Sequence, residues 1–335
     1  MTTRRSVLAL AGATAVSTLA MPWVSRGRAA DVVTMKMAHA AAESHPAHIA
    51  CLKFKEELDK LAPGRVDIQI FPNRQLGDEK QNLESTITGT LESLIVSSVI
   101  IPLVTGRPAI SAYQLPFLVR DYDHFTKMAT SPIAQKILDD LSGSDLVGLM
   151  TVDIGQRHFL SATKAVKSLP DFAGQKTRIV PIPLMKEIWE TVGTAPIGLP
   201  YGEVYGAMET KVIDAVEINV SSIVGENLWE VGKHLTLTGH YPWPAAVLIN
   251  KPFFDGLPAD LQAAMREAGR AAIAPTLAYT AEQDYTSRDL LKEKGVEIIP
   301  LENLAEMKAR VAPIVSEWAG KSELIAEFVS VAQAS

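Results

Sequence analysis

From residue 32 onward, short apolar runs with strand character alternate with longer segments whose apolar residues recur at helical spacing. That alternation constrains the fold more than any other feature of the chain. Strand–helix–strand returns build a largely parallel α/β sheet, and the loops at the strand ends face a cleft. Residues 32–38 read as a first strand. Residues 47–61 read as a helix with Ala50, Cys51, Phe54, Leu58 and Leu61 on its buried face. Residues 65–71 alternate with period two, as a half-buried strand does, and a polar turn at 72–79 leads into a helix with acids in its first turn. Residues 94–101 predict a buried strand whose polar side chains are Ser97 and Ser98, and residues 146–152 predict another. Pro275 is expected to kink or interrupt the helical stretch that opens near Pro258.

At 335 residues the chain favours two domains or one large α/β unit. The formal net charge is −6, and residues 1–30 hold four arginines and no acid, so their removal would leave −10. Such an acidic protein is a poor partner for nucleic acid or an anionic membrane surface. Cys51 stands alone, which excludes an intramolecular disulfide and a cysteine metal cage. Residues 1–30 have the form of a secretory signal: Arg4-Arg5, a mild apolar run at 6–20, and small residues around Ala29-Ala30. The paired arginines favour a twin-arginine signal over an ordinary secretory one, and either places the mature protein in the periplasm.

Arg178 stands out within Gly174-Gln175-Lys176-Thr177-Arg178-Ile179-Val180-Pro181, beside an extended segment and between apolar helices. A guanidinium so placed suits a carboxylate held out of water. No Gly-x-Gly-x-x-Gly, phosphate loop, His-Glu-x-x-His or Gly-x-Ser-x-Gly is present. Among the histidines, His39, His45 and His48 lie close in sequence, but in a loop whose spacing fits no standard metal pattern. No cofactor and no metal are expected, and no motif supports an enzyme.

Several segments together resemble the extracytoplasmic solute receptors of tripartite ATP-independent periplasmic (TRAP) transporters, of the C4-dicarboxylate-binding type. Phe71-Pro72-Asn73-Arg74-Gln75-Leu76-Gly77-Asp78-Glu79 is similar to a turn of that family, with Arg74 in place of a small residue. Lys176-Thr177-Arg178-Ile179-Val180, Gly202-Glu203-Val204-Tyr205-Gly206-Ala207-Met208 and Asp214-Ala215-Val216-Glu217 are similar to three further family segments. The similarity covers essentially the whole mature chain. It implies a two-domain periplasmic binding protein fold with a hinge and a ligand cleft between the domains. The expected division is 31–154 with 244–283 as one domain and 155–243 with 284–335 as the other.

The resemblance also implies which residues meet ligand. Arg178 matches the arginine that pairs with the ligand carboxylate, and Arg157 matches a second cleft arginine. Asn219 lies one place beyond the family's usual asparagine position, which here is Ile218. Tyr201 matches a pocket aromatic, and His39, Ser97, Trp243 and Glu79 complete the expected set. Ser97-Ser98 stands where sialic acid receptors carry Glu and Arg, so a ligand of that kind is not expected. A compact hydroxy or keto acid, a short dicarboxylate or an aromatic acid is, passed on to TRAP membrane permease subunits. The rivals are a periplasmic enzyme that clamps an organic acid through Arg178 and a receptor that feeds a signalling sensor.

Overall fold

Two sheets share one long strand, and that strand positions the site. The computed structural model describes residues 32–335, so the signal read at residues 1–30 lies outside the described residues. Strand β1 (Val33–Ala38) leads to helix α1 (Pro46–Leu61), β2 (Val66–Phe71), α2 (Glu79–Ile87) and β3 (Ser93–Ser97). Helix α3 (Ile100–Thr105), a 3-10 turn at Ala109–Gln114, α4 (Tyr122–Ala129) and α5 (Pro132–Asp140) precede β4 (Leu146–Ser161). Next come β5 (Lys176–Ile179), α6 (Pro183–Val192), β6 (Ala195–Gly198), α7 (Val204–Glu209), β7 (Ala215–Asn219) and α8 (Val220–Gly225). Strands β8 (His234–Leu237) and β9 (Pro242–Asn250) follow, then α9 (Lys251–Asp255) and α10 (Ala259–Glu293). Strand β10 (Glu297–Pro300), α11 (Leu304–Ala319) and α12 (Glu323–Ala334) close the chain.

The strand order is β2-β1-β3-β9-β4-β7-β5-β6, with β8 added to β4 and β10 to β8. The pairing is mixed where the sequence predicts a largely parallel sheet. β1 runs parallel to β2 and β3, but β9 is antiparallel to both β3 and β4, and β4 is antiparallel to β7 and β8. The physical reason is that β4 is a long strand that passes from one sheet to the other and β9 returns beside it, without the helical return that makes neighbours parallel.

β4 extends nine residues past position 152 because it changes partner partway. Residues 146–153 pair with β9, and Arg157–Ser161 pair with β7, with a register irregularity between Asp153 and Gln156. Gly155 sits at that irregularity with φ +130°, and a Cβ there would come within 3.0 Å of the Asn219 side chain. Glycine therefore permits both the bulge and the close approach of β7.

Local chemistry fixes the helix starts nearest the site. Pro46 occupies the first turn of α1, where its missing N–H costs nothing, and His45 caps that helix through Nδ1, 3.1 Å from the Ala47 N–H. The helix thus starts at Pro46, one residue before the position 47 that the apolar spacing predicts, and His48 stands in its first turn and not in the loop with His39. Asp78 and Gln81 form a capping box on α2, which seats Glu79 at its first position.

Three other expectations are corrected. The strand expected over 94–101 stops at Ser97; Pro102 cannot donate to a ladder and fits the first turn of α3 instead. Helix α10 runs unbroken through Pro275. The carbonyl freed there belongs to Ala271, on an exposed face open to solvent, so the helix loses a bond without burying an unpaired acceptor. Leu61, expected on the buried face of α1, is exposed at the last position of the helix.

The main core joins β1, β3, β9 and the first half of β4 to α1, α10 and the helices between β3 and β4. A second apolar cluster gathers Val204, Met208, Val216, Ile218, Ile223 and Leu235 around β7 and β8. Cys51 lies fully buried in the main core, as a small apolar residue would.

Candidate functional site

A cavity lies where β3, β4 and β9 meet the ends of α1, α2 and β5. Centres of water molecules reach about 40 Å³ of it. By that measure it holds roughly three waters, since one needs about 10–15 Å³. Arg178, Arg157, Tyr201, His39, Ser97, Trp243 and Glu79, all picked from the sequence, line it together. Ile95, Val96, Ile154, Val180 and several alanines supply apolar wall.

Asn219 is the expected site residue that does not line the cavity. It stands behind the wall, where Nδ2 donates to the Ile154 carbonyl at 2.8 Å and to Ser221 Oγ at 2.7 Å. Its Oδ1 accepts from Arg157 Nη1 at 3.5 Å and its Nδ2 lies 3.3 Å from His45 Nε2, so it supports three lining residues, Ile154, Arg157 and His45, from behind.

The two arginines differ in what they already hold. Arg157 donates from Nε to Glu217 Oε2 at 2.7 Å and from Nη2 to the Glu217 carbonyl, and its guanidinium lies 3.7 Å over the Trp243 ring. Glu217 is fully buried and also accepts from the Tyr241 hydroxyl at 3.0 Å. Burial alone would raise its carboxyl, but the Arg157 charge and hydrogen bonding outweigh it and hold the group at about 2. Arg157 is thus a compensated cation.

Arg178 is buried to 3% exposure, yet Nε and Nη2 both donate to one neutral acceptor, the Leu199 carbonyl, at 2.9 and 2.7 Å. Among the described residues it has no carboxylate partner within salt-bridge distance. A guanidinium carries five N–H donors, so three remain for something else. Burial lowers its pKa to about 10, against the pull of Glu217 and Glu79, which still leaves it charged at neutral pH.

Glu79 faces the same cavity. Its Oε1 accepts from the Ser97 backbone N–H at 2.9 Å and from the Ser97 hydroxyl, while Oε2 takes no hydrogen bond among the described residues. Ser97 therefore holds Glu79 in place, a role the sequence did not suggest. Burial pushes the Glu79 carboxyl above the ordinary carboxylate range, opposed by the Ser97 bonds.

The histidines bring no charge at neutral pH. Burial lowers both His39 and His45 to about 3. Because His45 Nδ1 accepts the Ala47 N–H, its proton is assigned to Nε2, which donates to Ser222 Oγ at 3.1 Å. His39 Nε2 is 3.0 Å from His48 Nδ1, and its own Nδ1 is buried without a partner.

His45 and Ser222 line the cavity and were missed from the sequence. His45 had a usable signal, since a polar residue before a proline that opens a helix marks a cap pointing at a strand end. Ser222 had none. Arg74 clasps Tyr201 from outside the lining: its Nη2 is 2.9 Å from Glu226 Oε1, an ion contact without aligned hydrogen-bond geometry, and its guanidinium lies 4.8 Å from the Tyr201 ring. The arrangement has the chemistry to take an anion: a buried cation, neutral polar groups, one carboxyl and apolar walls.

Comparison with known proteins agrees with that chemistry. The family model described as bacterial extracellular solute-binding protein, family 7, matches residues 37–321. A C4-dicarboxylate-binding periplasmic protein of Rhodobacter capsulatus is 30% identical over 297 residues, which is 88% of this chain and 87% of that protein. A TRAP periplasmic solute-binding protein from Bradyrhizobium, solved with galacturonate, superposes with TM-score 0.85 at 28% identity, covering 90% of this chain and 100% of that one. A sugar acid binding protein from Advenella mimigardefordensis, solved with galactonate, gives 0.84 at 26% identity, covering 91% and 99%. The α/β fold is therefore the two-domain fold of these solute-binding proteins, with its resemblance to TRAP receptors confirmed.

Proposed function

Because the chain belongs to family 7 of the bacterial extracellular solute-binding proteins, we propose that it is a periplasmic receptor whose Arg178 clamps the carboxylate of a small organic acid for delivery to a TRAP permease. One observation carries the reading. Arg157 has Glu217, but Arg178 is buried in the cavity with three donors uncommitted and no acid bonded to it. An uncompensated buried cation is costly, and an arriving carboxylate removes that cost while gaining charge-assisted bonds of about 1.5–3 kcal/mol each. Arg157 adds a second set of N–H donors, its charge balanced by Glu217 and its plane oriented by Asn219 and Trp243. Closure turns on the place where β4 changes partners, excludes water and strengthens the ion pair.

The test is a thermal-shift and calorimetric screen of the purified chain against organic acids, in wild type and Arg178→Ala. An acid present at 100 times its Kd stabilises the wild type by about 2.7 kcal/mol. The expected result is stoichiometric binding, recovery of unchanged acid, and loss of affinity in the variant. Turnover of the acid, or binding indifferent to Arg178, would refute the reading.

A further inference from the structure

The crossing of β4 and β9 depends on one side chain. β4 breaks register between Asp153 and Gln156, and β9 sets Pro244 opposite Asp153 and Pro242 opposite Gln156. Neither proline has an N–H to give. The Trp243 N–H between them goes to Asp153 Oδ1 at 3.0 Å, which also accepts the Gly155 N–H at 2.9 Å, while Oδ2 accepts from Gln156 Nε2 at 3.1 Å. One carboxyl thus fixes the backbone on both sides of a stacked pair. Arg157 lies two residues past Gly155, and its guanidinium is 3.7 Å from the Trp243 ring on the cavity wall.

That carboxyl has no counter-ion. Asp153 is fully buried, and among the described residues no cation lies within salt-bridge distance of it. From α10 it faces Asp284, whose own partner is Arg288 at 3.1 Å, and from α4 the Tyr122 hydroxyl. β9 brings it no ionisable side chain, and His158, further along β4, lies 3.1 Å from Arg288 Nη2 and is kept neutral by burial. Burial, aided by the Asp284 charge, pushes Asp153 from an ordinary 3.8 to about 7, against the pull of its N–H bonds. A carboxyl held above its hydrated value supports the closed arrangement fully below that value, and the support is lost as pH rises through about 7. Its ionised form therefore favours any state in which water reaches it.

Resting on the receptor reading above, which puts closure at this same point, we infer that Asp153 is the positioning residue that keeps the crossing openable at neutral pH. The strands part where its carboxylate takes up water, and Arg157 and Trp243 move with them. The prolines of β9 and the bulge of β4 leave few backbone bonds to resist that parting. The wall against which a ligand closes is then held by a group that eases release once it ionises.

Hydrogen exchange at the Gly155 and Trp243 amides reports the opening of the crossing, read by NMR on the purified chain without ligand and corrected for the intrinsic pH dependence of exchange. Both amides are expected to be about tenfold or more better protected at pH 5 than at pH 8. Asp153→Asn keeps an acceptor for both N–H groups and removes the charge. It is expected to show at least the pH 5 protection at both pH values, with a urea midpoint above that of the wild type at pH 8. Asp284→Asn is expected to keep the pH dependence, since Asp153 still titrates. An Asp153 that only props the fold would instead lose protection and midpoint together on becoming Asn, and that result overturns the inference. So does wild-type protection equal at the two pH values, or a pH dependence that survives Asp153→Asn. The wild-type pH series decides the matter even where a variant fails to fold. Because no ligand enters, failure here leaves the Arg178 clamp standing, whereas affinities that ignore Arg178 remove the receptor reading and leave the exchange result intact.

Discussion

Glu217→Gln is expected to destabilise the folded chain by about 3 kcal/mol at pH 7. The side chain has no exposure, and its carboxyl is held at about 2 against an ordinary value of 4.5. That gap corresponds to about 3 kcal/mol, since one pKa unit is worth about 1.4 kcal/mol. Gln keeps the shape but leaves the Arg157 charge buried without its counter-ion, and breaking such a pair typically costs about 3–5 kcal/mol. The sign of the pH dependence follows from the depressed carboxyl. Its contribution is complete above the unfolded value near 4.5 and is lost as pH falls towards the folded value near 2. Urea unfolding of wild type and variant at pH 7 and pH 3 measures both effects. The wild type should lose part of this advantage at pH 3, and the gap between the two proteins should narrow there. A loss below about 1 kcal/mol at pH 7, with unchanged m-value, would refute the account of Glu217 as the counter-charge of Arg157.

Arg74→Ala should leave ligand association unchanged and speed dissociation by about fivefold. It removes a partly exposed ion contact to Glu226 and a stack on Tyr201, together worth about 1 kcal/mol. Stopped-flow dissociation reads this directly, and a slowed association with unchanged dissociation would contradict the clasp. Gly269→Ala should cost about 1–3 kcal/mol by overpacking, because the added Cβ would fall 2.5 Å from the Leu149 carbonyl oxygen, where β4 meets α10. Equilibrium unfolding with an unshifted midpoint would show that the two elements separate more easily than their contact implies.

The elements were legible where the pattern was local. The period-two alternation of β2 and the helical spacing of Ala50, Cys51, Phe54 and Leu58 in α1 each find their structure at the expected place. Sheet direction was not legible, because whether β9 lies parallel or antiparallel to β4 depends on pairing between residues about a hundred positions apart. Pro275 misled for a related reason: its penalty falls on a carbonyl whose exposure only the fold decides.

The cavity residues were named chiefly through family resemblance, and their division of labour was invisible in the sequence. Nothing local distinguishes Arg157, which has a buried acid, from Arg178, which has none. Glu217 reaches Arg157 only because β7 lies antiparallel to β4, with Arg157 opposite Asn219. Ser97 was expected at the ligand through the family resemblance; the tertiary fold gives its donors to Glu79.

The central claim is that Arg178 holds the ligand carboxylate. It is tested most directly by comparing the best-binding acid with its own primary amide, against wild type and Arg178→Ala. Calorimetry should show the wild type losing about 100-fold or more when acid becomes amide, as two charge-assisted bonds of about 1.5–3 kcal/mol each would require. Arg178→Ala should lose a similar factor for the acid and little further for the amide, since both changes remove the same contact. An Arg178→Ala chain that binds the acid within about threefold of wild type, or that still tells acid from amide as sharply, would contradict the clamp.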